Sequence, residues 1–185
     1  MTAPAICVRA ATTEDVERLA DWAIAMALET EHKQLDPDIV RNGVRAVLAE
    51  PARGRYFIAE CTAETISTDT TSDTTPTANA SGVFGSARAE PGECIGTLML
   101  THEWSDWRNG DWWWIQSVYV EYAHRRRGVY RALYDHVHAL ALATPSVCGL
   151  RLYVERENAN AQRTYESLGM TDAHYQIYEA EFTRR

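Results

Sequence analysis

Apolar positions along the chain switch between two periods, about two residues and about 3.6, and the switches mark out the elements. Ile6 to Ala10 reads as a short strand. Behind it Val16, Leu19, Ala20, Ala23 and Ala27 recur at helical spacing. Thr12 or Thr13 is placed to cap that helix, with Glu14 and Asp15 in its first turn, where a carboxylate suits the helix dipole. Asp36-Pro37 opens a second helix, striped by Val40, Val44, Val47 and Leu48 and ended by Pro51 and Gly54. Between these two helices lies Glu29-Thr30-Glu31-His32-Lys33. Strands are predicted over Tyr56–Cys61, Cys94–Thr101 and Trp112–Val120. The segment His102–Gly110 turns between the last two, with Asn109-Gly110 as the hairpin signal. Val129, Leu133, Val137 and Leu140 give a third helix one apolar face, and Pro145 and Gly149 separate it from a buried-looking strand, Leu150–Val154. A fourth helix runs over roughly Ala159–Leu168, with Ala161, Thr164, Tyr165 and Leu168 on one face and Gly169 at its C-terminal cap. Tyr175–Phe182 reads as a last strand. The order β-α-α-β-β-β-α-β-α-β predicts an α/β sheet with crossover helices.

One stretch breaks the pattern. Residues 62–92 are dominated by Thr, Ser, Ala, Gly and Asp, with almost no large apolar side chain. That composition cannot bury enough surface to offset its ordering entropy, so it reads as a disordered insertion at a hairpin tip within a single domain spanning 1–185. A chain of 185 residues is long enough for one full core. Its net charge of −8 argues against a nucleic-acid or anionic-membrane partner. The cysteines at 7, 61, 94 and 148 contain no CxxC pair and read as free thiols in a reducing compartment. His136 and His138, two apart on a helix, face different sides and cannot share a metal, and no metal site is expected. There is no signal-peptide pattern and no apolar run of membrane-spanning length, so the expected location is cytoplasmic, with no membrane partner.

Against that acidic background Arg125, Arg126 and Arg127 stand out. A β-branched run, Ile115–Val120, leads through a short polar turn to these arginines, then to Gly128, Val129 and Tyr130 at a helix start. Amides at a glycine-containing turn and a helix N-terminus form a concave donor site for phosphate oxygens, and guanidiniums add charge. The alternative is an ordinary strand-to-helix turn with exposed arginines. A second stretch, residues 150–170, gives a strand, a polar turn with Asn158, a helix carrying Tyr165, and Gly169.

Together the two stretches resemble the GNAT superfamily of acyl-CoA-dependent N-acyltransferases. The first family signature, Arg/Gln-x-x-Gly-x-Gly/Ala between strand and helix, is matched by Arg125 and Gly128, with Tyr130 in place of the small last residue. The second, Asn-x-x-Ala-x-x-x-Tyr-x-x-x-Gly-Phe, is matched by Asn158, Ala161, Tyr165 and Gly169, with Met170 for the phenylalanine. The resemblance implies a GNAT fold, a mixed sheet of six to seven strands flanked by about four helices. It also implies acetyl-CoA as co-substrate, its pantetheine arm along Val118, Tyr119 and Val120 and its pyrophosphate on Arg125 to Tyr130. Asn158 would contact the cofactor or fix its loop. Tyr165 would protonate the departing thiolate, and the amide of Val120 would hold the oxyanion as an amine attacks the thioester. The side chain of Tyr130 would then have to point away from the pyrophosphate, toward solvent or the sheet. For Tyr165 the competing reading is a core aromatic.

The acceptor would be the amine of a small molecule or a peptide. Where some relatives carry a basic glutamate on the central strand this chain has Trp114, which leaves Glu29, Glu31, Glu103 and Gln116 (with water) as candidate bases. Trp104, Trp107 and Trp112, with Glu29 and Glu31, are candidate walls of a pocket for an aromatic or cationic amine. Packing on the sheet is the other reading of the tryptophans, and Trp113 falls on the core face with Ile115, opposite Trp112, Trp114 and Gln116. A non-catalytic acyl-CoA-binding or protein-interaction module on the same fold stands as the alternative function, and a homodimer is left open.

Overall fold

Runs rich in β-branched and aromatic residues pair into one sheet in chain order. The computed structural model describes residues 5–62, 90–180 and 182. Its strands are β1 (Ile6–Ala10), β2 (Arg55–Cys61), β3 (Cys94–Ser105), β4 (Gly110–Val120) and β5 (Val147–Leu152). The first four are joined antiparallel, and β5 returns parallel to β4. The helices are α1 (Val16–Glu31), α2 (Pro37–Ala49), α3 (Val129–Leu142) and α4 (Ala159–Ser167). Two compact units result, one through Leu152 and one from Tyr153.

Adjacent residues of β2 show which helices cover which face of the first unit. Ile58, fully buried, packs with Val16, Leu19, Ala20 and Trp22 of α1 and Val44 of α2. Its neighbour Phe57 points the other way and meets His136 of α3, ring centroids 5.2 Å apart. The sheet is therefore sandwiched, with α1 and α2 on one face and α3 on the other. Gly96 lets α3 settle close, since a Cβ there would sit 3.1 Å from Val129 Cγ1 and 2.8 Å from the Tyr119 carbonyl oxygen.

The mixed sheet and four helices agree with expectation; the strand count does not. Five strands are present among the described residues, not six or seven, and residues 171–180 lie in neither helix nor strand. Alternating aromatic and aliphatic residues supply strand propensity, but a strand exists only where a neighbouring backbone accepts its hydrogen bonds. Other boundaries move as well. Helix α1 continues through Glu31, so Glu29 to Glu31 are helical rather than linker, and β3 extends past Thr101 to Ser105. Strand β5 starts three residues early, and Gly149 lies within it instead of before it. Most of the Ser/Thr-rich insertion, residues 63–89, lies outside the described residues.

At the start of α1 a charged network closes the sheet edge. Asp15, only 7% exposed, accepts from Arg9 Nη1 and Nη2 at 2.7 and 2.8 Å and from the Thr12 amide at 2.7 Å. Arg9 Nε also reaches Glu60 at 2.7 Å. The Arg9 guanidinium holds the Asp15 carboxyl below its ordinary value of 3.8. A carboxyl whose value is depressed on folding stabilises the fold above its unfolded value and loses that contribution as pH falls through the folded one. Asp15→Asn should thus lose about 1–3 kcal/mol at neutral pH. In urea melts its deficit against wild type should shrink as pH drops below about 4; a deficit independent of pH would show that the charge is not what matters.

Candidate functional site

Strand β4 lies between β3 and β5 in the sheet, and its two ends differ. Asp111 to Ile115 are paired on both sides, to β3 and to β5. The last β5 pairing is Ile115↔Leu152, after which β4 continues to Val120 with β3 alone. At the parting point the ladder carries a bulge: Met99 faces Ser117 and Leu100 faces Ile115, so Gln116 is the extra residue. The bulge resets the alternation. Ile115 and Val118, three apart, both face α3, because they oppose Leu100 and Leu98 on one side of β3.

Past the bulge, hydrogen-bonded and non-bonded pairs alternate along the antiparallel ladder. The Glu121 amide donates to the Ile95 carbonyl at 3.0 Å, which makes that pair the bonded kind. The next pair, Gly96↔Val120, is then non-bonded, as is Leu98↔Val118. The amides and carbonyls of Val118 and Val120 therefore point away from β3, toward the edge that β5 has left. Backbone groups so placed can bond an extended ligand as an added strand would.

The turn that follows sits beside this edge. Arg126 and Gly128 both hold left-handed backbone, φ 64° and 85°. For glycine that is free; for Arg126 it is a strained conformation of the kind that collects at functional turns. Helix α3 starts at Val129 with no side-chain cap and no acidic residue in its first turn. Among the described residues the amides of Arg127, Gly128 and Val129 donate to no other group. Unsatisfied donors at a helix start, with positive charge around them, are a ready anion site. Tyr130 does not intrude on this description through its ring, which lies beside Tyr134 one turn on, centroids 6.2 Å apart.

The three arginines are not equivalent. Arg126 and Arg127 form no ion pair among the described residues, whereas Arg125 is engaged at two of its nitrogens. Its Nη2 meets Glu29 Oε2 at 2.6 Å, and its Nε donates to the Val120 carbonyl at 2.9 Å. The Tyr119 hydroxyl also donates to Glu29, at 3.4 Å. Burial and the nearby Glu29 push that hydroxyl above its ordinary value. Nearby, Trp22 Nε1 donates to Glu121 at 2.6 Å, so α1 is tied to the end of β4 at two places. Residues 29 and 125 are too far apart in sequence for any local pattern to announce their pairing.

The remaining candidate pocket residues do not gather around Glu29. Glu31 pairs with Lys33 at the surface, 3.4 Å away. Trp104 and Trp107, at the β3–β4 turn, are 63% and 86% exposed. Trp112 lies seven positions before Tyr119 on β4, roughly 23 Å of strand at about 3.3 Å per residue. Its ring covers Gly149 of β5, where a Cβ would approach Trp112 Cζ3 to 2.4 Å. The guanidiniums of Arg151 and Arg108 lie 4.1 and 5.1 Å from its centroid. Arg151 bonds Glu103 at 3.0 and 3.2 Å, and Glu103 accepts from Trp114 Nε1. Trp113 is in the core with Ile115, each 4% exposed, as the alternation predicts. Two of the candidate bases, Glu29 and Glu103, are thus held by arginines.

In the second unit the spacing of the second motif has a local cause. Asn158 caps α4, its Oδ1 accepting from the Ala161 amide at 3.0 Å. Gly169 takes φ 85° after the helix, its amide bonding the Glu166 carbonyl while Met170 bonds that of Tyr165, at 2.9 and 3.1 Å. That is the Schellman ending, which needs a left-handed residue at this point. Ala161, Tyr165 and Leu168 are half-buried along one face, and Thr164 is exposed. Burial raises the Tyr165 hydroxyl above its ordinary value, so it stays protonated at neutral pH.

Residues 50–170 match the family model described as acetyltransferase (GNAT) family. The fold matches the crystal structure of a possible acetyltransferase from Clostridium difficile 630, with 34% identity, a TM-score of 0.76, and 97% of this chain and 99% of that one covered. A ribosomal-protein-alanine N-acetyltransferase from Brucella melitensis biovar Abortus 2308 shares the fold at 16% identity and TM-score 0.63, covering 96% and 100% of the two chains. So does an aminoglycoside acetyltransferase from an uncultured soil metagenomic sample, solved with sisomicin, at 11% identity and TM-score 0.61, with 97% of each chain covered. Among curated proteins none is significantly similar in sequence.

The contact between Trp112 and Gly149 makes one sharp expectation. Gly149→Ala must displace a ring held by two arginines, and should cost about 1–3 kcal/mol in chemical denaturation, with a change in tryptophan emission. A variant as stable as wild type would mean the ring moves aside freely.

Proposed function

Because the chain belongs to the acetyltransferase (GNAT) family, we propose that it is an N-acetyltransferase that moves the acetyl group of acetyl-CoA to the amine of a small molecule or peptide. What supports this reading most is the pairing of two features in one unit: the strand edge at Val118 and Val120, vacated by β5, and the uncapped, arginine-flanked turn next to it. The pantetheine arm bonds the edge along Val118, Tyr119 and Val120. The pyrophosphate takes the amides of residues 126–130 and the charges of Arg126 and Arg127. Arg125, occupied by Glu29 and the Val120 carbonyl, serves the shape of the turn more than the charge of the ligand.

In the reaction the neutral amine attacks the thioester carbonyl carbon, a C–N bond forms, and the C–S bond breaks. The developing oxyanion is held by the amide of Val120, a fixed donor that needs no reorganisation. Tyr165 gives its proton to the departing thiolate, a role for which its raised value keeps it protonated, and it regains a proton, through water, from the attacking nitrogen as that nitrogen becomes an amide. The extra proton of the ammonium leaves to water, since an amine with a pKa near 10 is mostly charged at neutral pH. No helix among the described residues is long and apolar enough to cross a membrane; a cytoplasmic location is part of what we propose.

The test is release of free CoA thiol from acetyl-CoA against a panel of amines, with CoA affinity measured in parallel. Saturable thiol release with at least one amine is the expected result. Tight CoA binding with no release above background across the panel would favour a non-catalytic acyl-CoA-binding module instead. Once an acceptor is known, Tyr165→Phe should lower kcat by about 10²-fold or more and leave CoA affinity nearly unchanged. Replacing Arg126 and Arg127 with Ala should weaken CoA and dephospho-CoA but not pantetheine; equal losses for all three would remove the arginines from the phosphate site.

A further inference from the structure

We propose that Glu29 is a positioning residue: through Arg125 it fixes the Val120 peptide on the edge of β4 that β5 leaves. This rests on the acyl-transfer reading for its purpose, though not for its geometry. Val120 is the last residue of β4, and no β5 residue pairs with it to hold that end of the strand on the far side. Its carbonyl is bonded instead by Arg125 Nε at 2.9 Å. The other end of the same guanidinium is gripped by Glu29 of α1, 2.6 Å away. The ring centroids of Tyr119 and Tyr122 lie 5.6 and 5.4 Å from the guanidinium carbon, and the Tyr119 hydroxyl reaches the same carboxylate.

Only a planar, two-ended donor does this. A guanidinium can satisfy a carboxylate at one nitrogen and a carbonyl at another with both geometries fixed, whereas an ammonium is a point charge. The peptide that carries the Val120 carbonyl is bonded on one side to Ile95, through the Glu121 amide, and on the other to Arg125. With both sides held, the adjoining peptide that carries the Val120 amide has less freedom to turn about the Val120 Cα. Helix α1 is a rigid anchor for the clamp, being bound again at Trp22 to Glu121. Glu29 therefore does not need to touch an acceptor amine to affect transfer.

The test uses the full chain labelled with 15N. Without cofactor, the Arg125 Nε–Hε signal should be protected from hydrogen exchange, and Glu29→Gln should exchange it about tenfold faster or more. On titration of the wild type, the Val120 amide signal should move further with acetyl-CoA than with CoA. In Glu29→Gln that difference should shrink while the CoA dissociation constant stays within about threefold, or tightens because a negative charge near the turn is gone. Glu29→Asp, which keeps the charge on a shorter stem, should fall between the two. Wild-type behaviour of both signals in Glu29→Gln would overturn the proposal. So would a loss of CoA affinity of about tenfold or more, since Glu29 would then be serving the cofactor itself. If the wild type bound neither CoA nor acetyl-CoA, the acyl-transfer reading would fall, and the exchange measurement on the free protein would still decide whether the clamp exists.

Discussion

The constraint on which the site depends is the parting of β4 from β5 after Ile115 and Leu152. A central strand normally spends its amides and carbonyls on two neighbours. Here one neighbour stops while the strand goes on, and the polar groups of Val118 and Val120 are left aimed at a gap. The bulge at Gln116 sits where the parting begins, and bulges bend and twist the strand that carries them. Strand β3 stays paired to the end and keeps the outstretched strand in place. A vacated edge of this kind is stable only if something else bonds those groups. Arg125 takes one of them, the Val120 carbonyl, and a ligand lying along the strand would take others.

The turn after β4 extends the same logic to charge. Helix α3 begins with no cap, no acid in its first turn, and a left-handed arginine two residues before its capping glycine. Each departure costs stability on its own: glycine in place of a capping Ser or Asp by about 0.3 kcal/mol, and a non-glycine left-handed residue by about 1–2 kcal/mol. A sequence evolved for the fold alone would put Gly at 126 and an acidic residue in the first turn of α3. Both departures make sense if the amides are kept free for an anion and the side chain of Arg126 is worth its strain.

Much of this was legible in the sequence. Helix stripes, the Asp36-Pro37 start, the mixed sheet, the turn at 125–130 and the buried Trp113 all follow from periodicity and local chemistry, because the forces that fix them act over a few residues. Even the second motif proves local, since Asn158 and Ala161 are spaced by a cap and Gly169 by a Schellman ending. What the sequence misread was set by partners elsewhere in the chain. Gly149 looks like a strand breaker until Trp112 is seen to lie across it. The segment from Tyr175 has the composition of a strand, and composition cannot supply the backbone it would pair with. Glu29 and Glu103 read as spare carboxylates near a pocket, and each turns out to face an arginine, one 96 and the other 48 residues away.

Those two pairs bear on what an acceptor meets. With Glu29 held by Arg125 and Glu103 by Arg151, neither offers an unshared negative charge, so attraction of a cationic amine cannot rest on these two residues alone. The tryptophans divide likewise. Trp112 stacks under arginines as part of the sheet, and the exposed rings, Trp104 and Trp107, lie at the opposite end of β4 from Val120. A small acceptor reacting beside Val120 would not span the roughly 26 Å of strand to Trp112, whereas a peptide of about eight extended residues would. The length of the acceptor therefore decides whether the tryptophan-bearing hairpin takes part at all, and a panel that includes both short amines and peptides reads that length directly.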